Sequence, residues 1–113
     1  MPHRKSRRSR SNIEQLEPRR LLAVTTVQGT NNADIIVLNW NGLTDTLALL
    51  DSLARCRPPE GWRTHVMVVD NGSTDGSVER LSQRNDIELL PMGRNLRFAG
   101  GNNAGIRHAL EQG

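Results

Sequence analysis

Asparagine, aspartate and glycine concentrate in three short segments of this 113-residue chain. These are Asn39-Trp40-Asn41-Gly42-Leu43, Asp70-Asn71-Gly72-Ser73-Thr74-Asp75-Gly76-Ser77, and the stretch from Met92 to Asn103, which contains Gly100-Gly101-Asn102-Asn103. Carboxamides and carboxylates supply directional donors and acceptors, and glycines let a backbone come close to a ligand. That combination suits a nucleobase, a ribose and phosphates. The same residue types also build turns, so composition leaves both readings open. His3, His65 and His108 show no i, i+4 ligand spacing and are read as structural or exposed. Cys56 is the single cysteine, which excludes an internal disulfide and a cysteine-based zinc cluster; as a lone thiol it is expected to be buried.

The elements that must position these segments alternate between strand and helix. Ile35-Ile36-Val37-Leu38 reads as a first strand. Thr44 or Asp45 then caps a helix with Leu43, Leu47, Leu50 and Ala54 on one face, ended by Arg57-Pro58-Pro59. Val66-Met67-Val68-Val69 is a continuous apolar run, as expected of a strand covered on both faces. Thr74 or Asp75 caps a second helix with Val78 and Leu81 inward, Ile87-Glu88-Leu89-Leu90 forms a third strand, and residues 98–110 form a last helix. Its glycines are not explained by propensity, since each costs about 1 kcal/mol relative to alanine. Such alternation predicts a parallel sheet, whose ligands sit beyond the carboxyl ends of the strands, where all three polar segments fall.

The ten residues Val68-Val69-Asp70-Asn71-Gly72-Ser73-Thr74-Asp75-Gly76-Ser77 resemble the strand-end motif of family 2 glycosyltransferases. Ile36-Val37-Leu38-Asn39-Trp40-Asn41-Gly42 precedes them, and the segment from Asn95 to Ile106, with Phe98-Ala99-Gly100-Gly101-Asn102-Asn103, follows at the family's spacing. This last motif is similar to the form found in the rhamnosyltransferase-like branch. The resemblance covers residues 35–113 and implies an α/β fold: a partial GT-A (Rossmann-like) three-layer arrangement with a mainly parallel sheet. Residues 34–113 would be its nucleotide-binding part. It implies a UDP- or dTDP-sugar as donor, a saccharide or lipid-linked hydroxyl as acceptor, and a cytoplasmic or cytoplasmic-face location.

Carried over position by position, the resemblance makes Asp70 an acceptor for the base or ribose, with Asn71 beside it. Asn39, Trp40 and Asn41 would line the same pocket. Gly100 and Gly101 would bring a helix N-terminus to the diphosphate, and Asn102 and Asn103 would add side-chain hydrogen bonds. Arg97 departs from the motif, which has glycine there; it either crowds a turn that needs positive φ, the favoured reading, or reaches the diphosphate. The family's Mg or Mn is held by an acidic motif that would follow Gly113. No metal ligand or catalytic residue is therefore assigned, and the chain is expected to bind a donor without catalysing transfer.

Residues 1–33 differ in texture and are expected to form a disordered, basic, sorting-like segment outside the core. The chain carries 15 Lys and Arg against 12 Asp and Glu. Much of the positive charge sits in the first ten residues, and acidic residues outnumber basic ones from Asp34 onward, so a nucleic-acid partner is not expected. The apolar stretch of residues 21–27 is too short to span a membrane. Leu16-Glu17-Pro18-Arg19-Arg20-Leu21-Leu22 resembles a segment at the start of many bacterial surface proteins, and residues 28–36 resemble the start of a calcium-binding β-roll repeat. The alternative function is thus an exported surface protein with a partial calcium-binding repeat and no catalysis. The change near Asp34 is read as the join of a truncated or recombined gene.

Overall fold

The computed structural model describes residues 21–29 and 31–112; His3 and most of the Leu-Glu-Pro-Arg segment lie outside them. The elements in chain order are β1 (Leu21–Gly29), β2 (Asn32–Trp40), α1 (Leu43–Arg55), β3 (Arg63–Asp70), α2 (Ser77–Leu81), β4 (Glu88–Pro91) and α3 (Arg97–Gln112). They form one four-stranded sheet in the order β1-β2-β3-β4. β2, β3 and β4 run parallel, and β1 joins antiparallel to β2. The α/β architecture expected from the alternating pattern is therefore the one observed.

Both faces of the two central strands are covered, which accounts for their uninterrupted apolar sequence. Ile36, Leu38, Met67 and Val69 point to one face and pack with Ala109 of α3 and Ala23 of β1. Val37 and Val68 point to the other and pack with Leu50 of α1 and Leu81 of α2. Each fully buried aliphatic side chain here contributes about 1.5–3 kcal/mol. These two apolar layers fix the sheet between α1 and α3, and so fix the loops at its ends.

β1 corrects the expectation that residues up to 33 stand outside the core. Its nine residues pair with β2 along its whole length, from Leu21 opposite Trp40 to Gly29 opposite Asn32. Ala23 is buried, Val27 packs beside it, and Val24 on the other face is half exposed. The turn uses Asn31 in the left-handed region at φ 64°, a conformation asparagine tolerates. Pairing with β1 and β3 also extends β2 beyond the four residues expected, to Asn32–Trp40.

The glycines of α3 have a packing explanation. A Cβ on Gly105 would lie 2.7 Å from Ile36 Cγ2 and 2.9 Å from Val69 Cγ2, and one on Gly101 would lie 2.6 Å from Leu38 Cδ1. Gly101, Gly105 and Ala109 are spaced by four residues, share one helix face, and are all buried. Small residues on that face let the helix backbone rest directly on the sheet.

Other features differ from expectation. Cys56 is exposed, because α1 ends at Arg55 and Cys56 already has extended backbone leading away from the helix. Neither Thr44 nor Asp45 caps α1, which begins one residue earlier at Leu43. Arg84 ties α1 to the loop before β4, reaching Asp51 at 3.0 Å and Asp86 at 2.7 Å. Hydrogen bonding to these carboxylates, Asp86 foremost, raises the guanidinium further above its ordinary value and lowers that of Asp86.

Candidate functional site

The carboxyl ends of the parallel strands lie in register, with Asn39 opposite Asp70 and Asp70 opposite Pro91. Backbone bonds continue the pairing into the loops: the Asn71 N–H donates to Asn39 O, and the Met92 N–H donates to Asp70 O, both at 2.8 Å. All three polar segments singled out in the sequence therefore meet at one end of the sheet.

Asp70 sits at the centre and is 1% exposed. Its Oδ1 accepts from Asn39 Nδ2 at 2.8 Å and from the Ser73 hydroxyl at 2.7 Å. Its Oδ2 accepts from the Ser73 backbone N–H at 2.9 Å. Asn39 is oriented in turn by Thr46 of α1, whose hydroxyl donates to Asn39 Oδ1 at 2.6 Å. Burying a carboxylate requires this degree of hydrogen bonding. Among the described residues every buried side-chain nitrogen and oxygen has a partner.

The first two loops are laced together above this floor. Asn41, held at φ 53°, donates its N–H to the Ser73 hydroxyl at 2.9 Å and accepts the Thr74 N–H on its Oδ1 at 2.7 Å. Asp75 reaches across to accept the Leu43 N–H at 3.1 Å on one oxygen, and accepts from the backbone and side chain of Ser77 on the other. It thus serves the expected capping role for α2, although Gly76 occupies the capping position, and serves α1 as well. Partial burial pushes the Asp75 carboxyl up, but the hydrogen bonds from Ser77 and Leu43 outweigh it and hold it below the ordinary carboxylate value.

The third loop is gripped by Asn71, which is fully buried. Its Oδ1 accepts the Leu96 N–H at 2.9 Å, and its Nδ2 donates to Arg97 O at 3.0 Å and to Asn95 Oδ1 at 3.2 Å. Arg97 occupies the left-handed region at φ 65°, so the position does require positive φ, as the crowding reading expects. Gly72, at φ 81°, meets the same loop: a Cβ there would lie 2.5 Å from the Arg94 carbonyl carbon. Glycine is required at this position on both counts.

The expected site residues divide into groups. Asn39, Asn41, Asp70 and Asn71 are brought together, Trp40 ends β2 beside them half-buried, and Gly101 lies against the Asn71 carboxamide. Gly100 sits in the same first turn of α3. Asn102 instead faces β1, accepting the Thr25 hydroxyl at 2.8 Å, and Asn103 is exposed on the outer side of α3. Ser73, Thr46 and Asn95 are structurally central without being individual candidates from the sequence, and Asp75, expected only as a cap for α2, also reaches α1. Ser73, three residues after Asp70 in a turn, carries a recognisable signal; Thr46 and the bond from Leu43 to Asp75 act across elements and carry none.

At the opposite end of the sheet Glu88 bridges two histidines, His65 Nε2 at 3.2 Å and His108 Nε2 at 2.7 Å, and Asp34 meets His65 Nδ1 at 3.0 Å. Among the described residues, no set of three or more His, Cys, Asp or Glu is arranged to hold a metal ion. At the carboxyl end, Asp70 and Asp75 each accept hydrogen bonds from protein donors on both oxygens. No helix among the described residues is long and apolar enough to cross a membrane.

An open, mainly parallel sheet with helices on both faces and polar loops at its carboxyl end is the α/β arrangement in which ligands generally sit beyond the strand ends. The family model described as Glycosyl transferase family 2 matches residues 34–112, and the chain belongs to that family. No curated protein and no solved structure gives a match. Family membership marks this as a glycosyltransferase domain, a class whose partners in general are a nucleotide sugar and an acceptor and which commonly uses divalent metals.

Proposed function

We infer that the carboxyl end of the sheet binds the nucleotide of a UDP- or dTDP-sugar, as the donor site for glycosyl transfer to a saccharide or lipid-linked hydroxyl. The observation that supports this most is the convergence of three separate loops on Asp70 and Asn71, within the span that matches the family. An ionised carboxylate has about four lone-pair sites. Three donors occupy Asp70, leaving one position on Oδ2 for a base N–H. Asn39 and Thr46, both buried, brace Asp70 from beneath, while Asn41 and Thr74 lie nearer the surface.

The α3 N-terminus, at Arg97, supplies backbone N–H groups suited to a diphosphate. Gly101 lets that turn rest against Leu38 and the Asn71 carboxamide, Gly100 lies beside it in the same turn, and the exposed Asn103 adds a side-chain hydrogen bond to the donor from the surface of the helix. The Phe98-to-Ile106 motif favours a deoxyhexose donor of the rhamnose type.

Titrating the chain with UDP and with dTDP, with and without Mn²⁺, tests the reading. Saturable binding of either nucleotide supports a donor site, and undetectable binding at millimolar nucleotide overturns it.

A further inference from the structure

We propose that Asn71 is a positioning residue of the donor site, setting how the first turn of α3 meets the end of β3 and thereby setting nucleotide affinity; this rests on the donor-site reading above. One buried carboxamide holds three consecutive residues of the facing loop. It accepts from Leu96 N–H at 2.9 Å and donates to Arg97 O at 3.0 Å and Asn95 Oδ1 at 3.2 Å. Its own backbone N–H is tied to Asn39 O at 2.8 Å. Asn71 therefore links β2, β3 and the entry to α3 through a single residue.

The surroundings leave the carboxamide no alternative position. A Cβ on Gly101 would lie 3.1 Å from Asn71 Nδ2, so the side chain rests against the α3 backbone, and a Cβ on Gly72 would collide with the backbone of Arg94 and Asn95. Asn95 Oδ1 also accepts the Arg97 N–H at 2.6 Å. Turning the Asn95 amide to suit another partner would break that bond. The grip thus requires a side chain that both donates and accepts.

Aspartate in place of Asn71 keeps the shape and the acceptor for Leu96 while setting an oxygen against Arg97 O and Asn95 Oδ1. A space-filling role tolerates that exchange; a positioning role does not. Protonating the new carboxyl restores one donor, so the defect should recede as pH falls. Asp70 precedes the position on the same strand end, and Arg94 and Arg97 belong to the facing loop, so the unmodified chain is measured at each pH as the reference.

The test compares UDP and dTDP binding by the full chain and by Asn71→Asp, at about pH 7.5 and about pH 5. Asn71→Asp should bind about tenfold more weakly than the unmodified chain at the higher pH and within about threefold at the lower. Asn95→Ala, at an exposed position, removes one arm of the grip and should lose about threefold at both pH values, which keeps the test decisive if Asn71→Asp does not fold. Equal affinity of both variants and the unmodified chain overturns the positioning role and leaves the donor site standing. Failure of the unmodified chain to bind overturns both.

Discussion

Asp75, in the loop after β3, accepts the backbone N–H of Leu43 at 3.1 Å, so the first turn of α1 is capped by a residue 32 positions later in the chain. The same carboxylate engages the backbone N–H of Ser77 at 3.1 Å. One side chain thus secures the starts of two helices and holds the two loops of the candidate site side by side.

Replacing Asp75 with alanine should lower stability by about 1–2 kcal/mol, the usual cost of losing a helix cap. Urea unfolding would show this as a lower midpoint with an unchanged slope.

Acid titration of the same variant offers a second check. The folded carboxyl titrates below its ordinary value of 3.8, so its contribution is complete above that value and is lost as pH falls through the lower folded one. Asp75→Ala should therefore lose less stability than the unmodified chain on acidification below 3.8. Parallel acid profiles would contradict the assignment.

Gly105→Ala sets helix propensity against packing. Propensity alone predicts a gain of about 1 kcal/mol. The new Cβ would meet Ile36 Cγ2 at 2.7 Å and Val69 Cγ2 at 2.9 Å, and these belong to stiff β-branched side chains buried in the sheet. Overpacking of this kind costs about 1–3 kcal/mol, so a net loss is expected. A raised urea midpoint would show that α3 does not rest on the sheet as described.

Arg97→Gly should act in the opposite direction. A residue with a Cβ in the left-handed region costs about 1–2 kcal/mol, and Arg97 stands at φ 65°. Glycine removes that strain but gains freedom in the unfolded chain. A net stabilisation of about 0.5–1 kcal/mol is expected, and a lower urea midpoint would contradict it.

The sequence made the central strands legible because burial on both faces leaves an unbroken apolar run, as in Val66-Met67-Val68-Val69. The three loops were legible through their motif residues. β1 was not, because an edge strand buries few side chains: Ala23 is buried, whereas Val24 and Thr26 are exposed. Without β1, the tie between Asn102 and Thr25 could not be foreseen. Nor could the depth of Asp70, since its burial depends on Asn39, Ser73 and Thr46 arriving from separate elements. The same limit explains Cys56, whose exposure follows from where α1 stops.

Backbone amide shifts during titration with UDP or dTDP test whether nucleotide binds at the carboxyl end of the sheet. Binding there produces saturable changes at Asn39 to Asn41, Asp70 to Thr74 and Leu96 to Asn103, with Asp34, His65, Glu88 and His108 at the other end unmoved. Changes confined to that other end, or none at millimolar nucleotide, would contradict it.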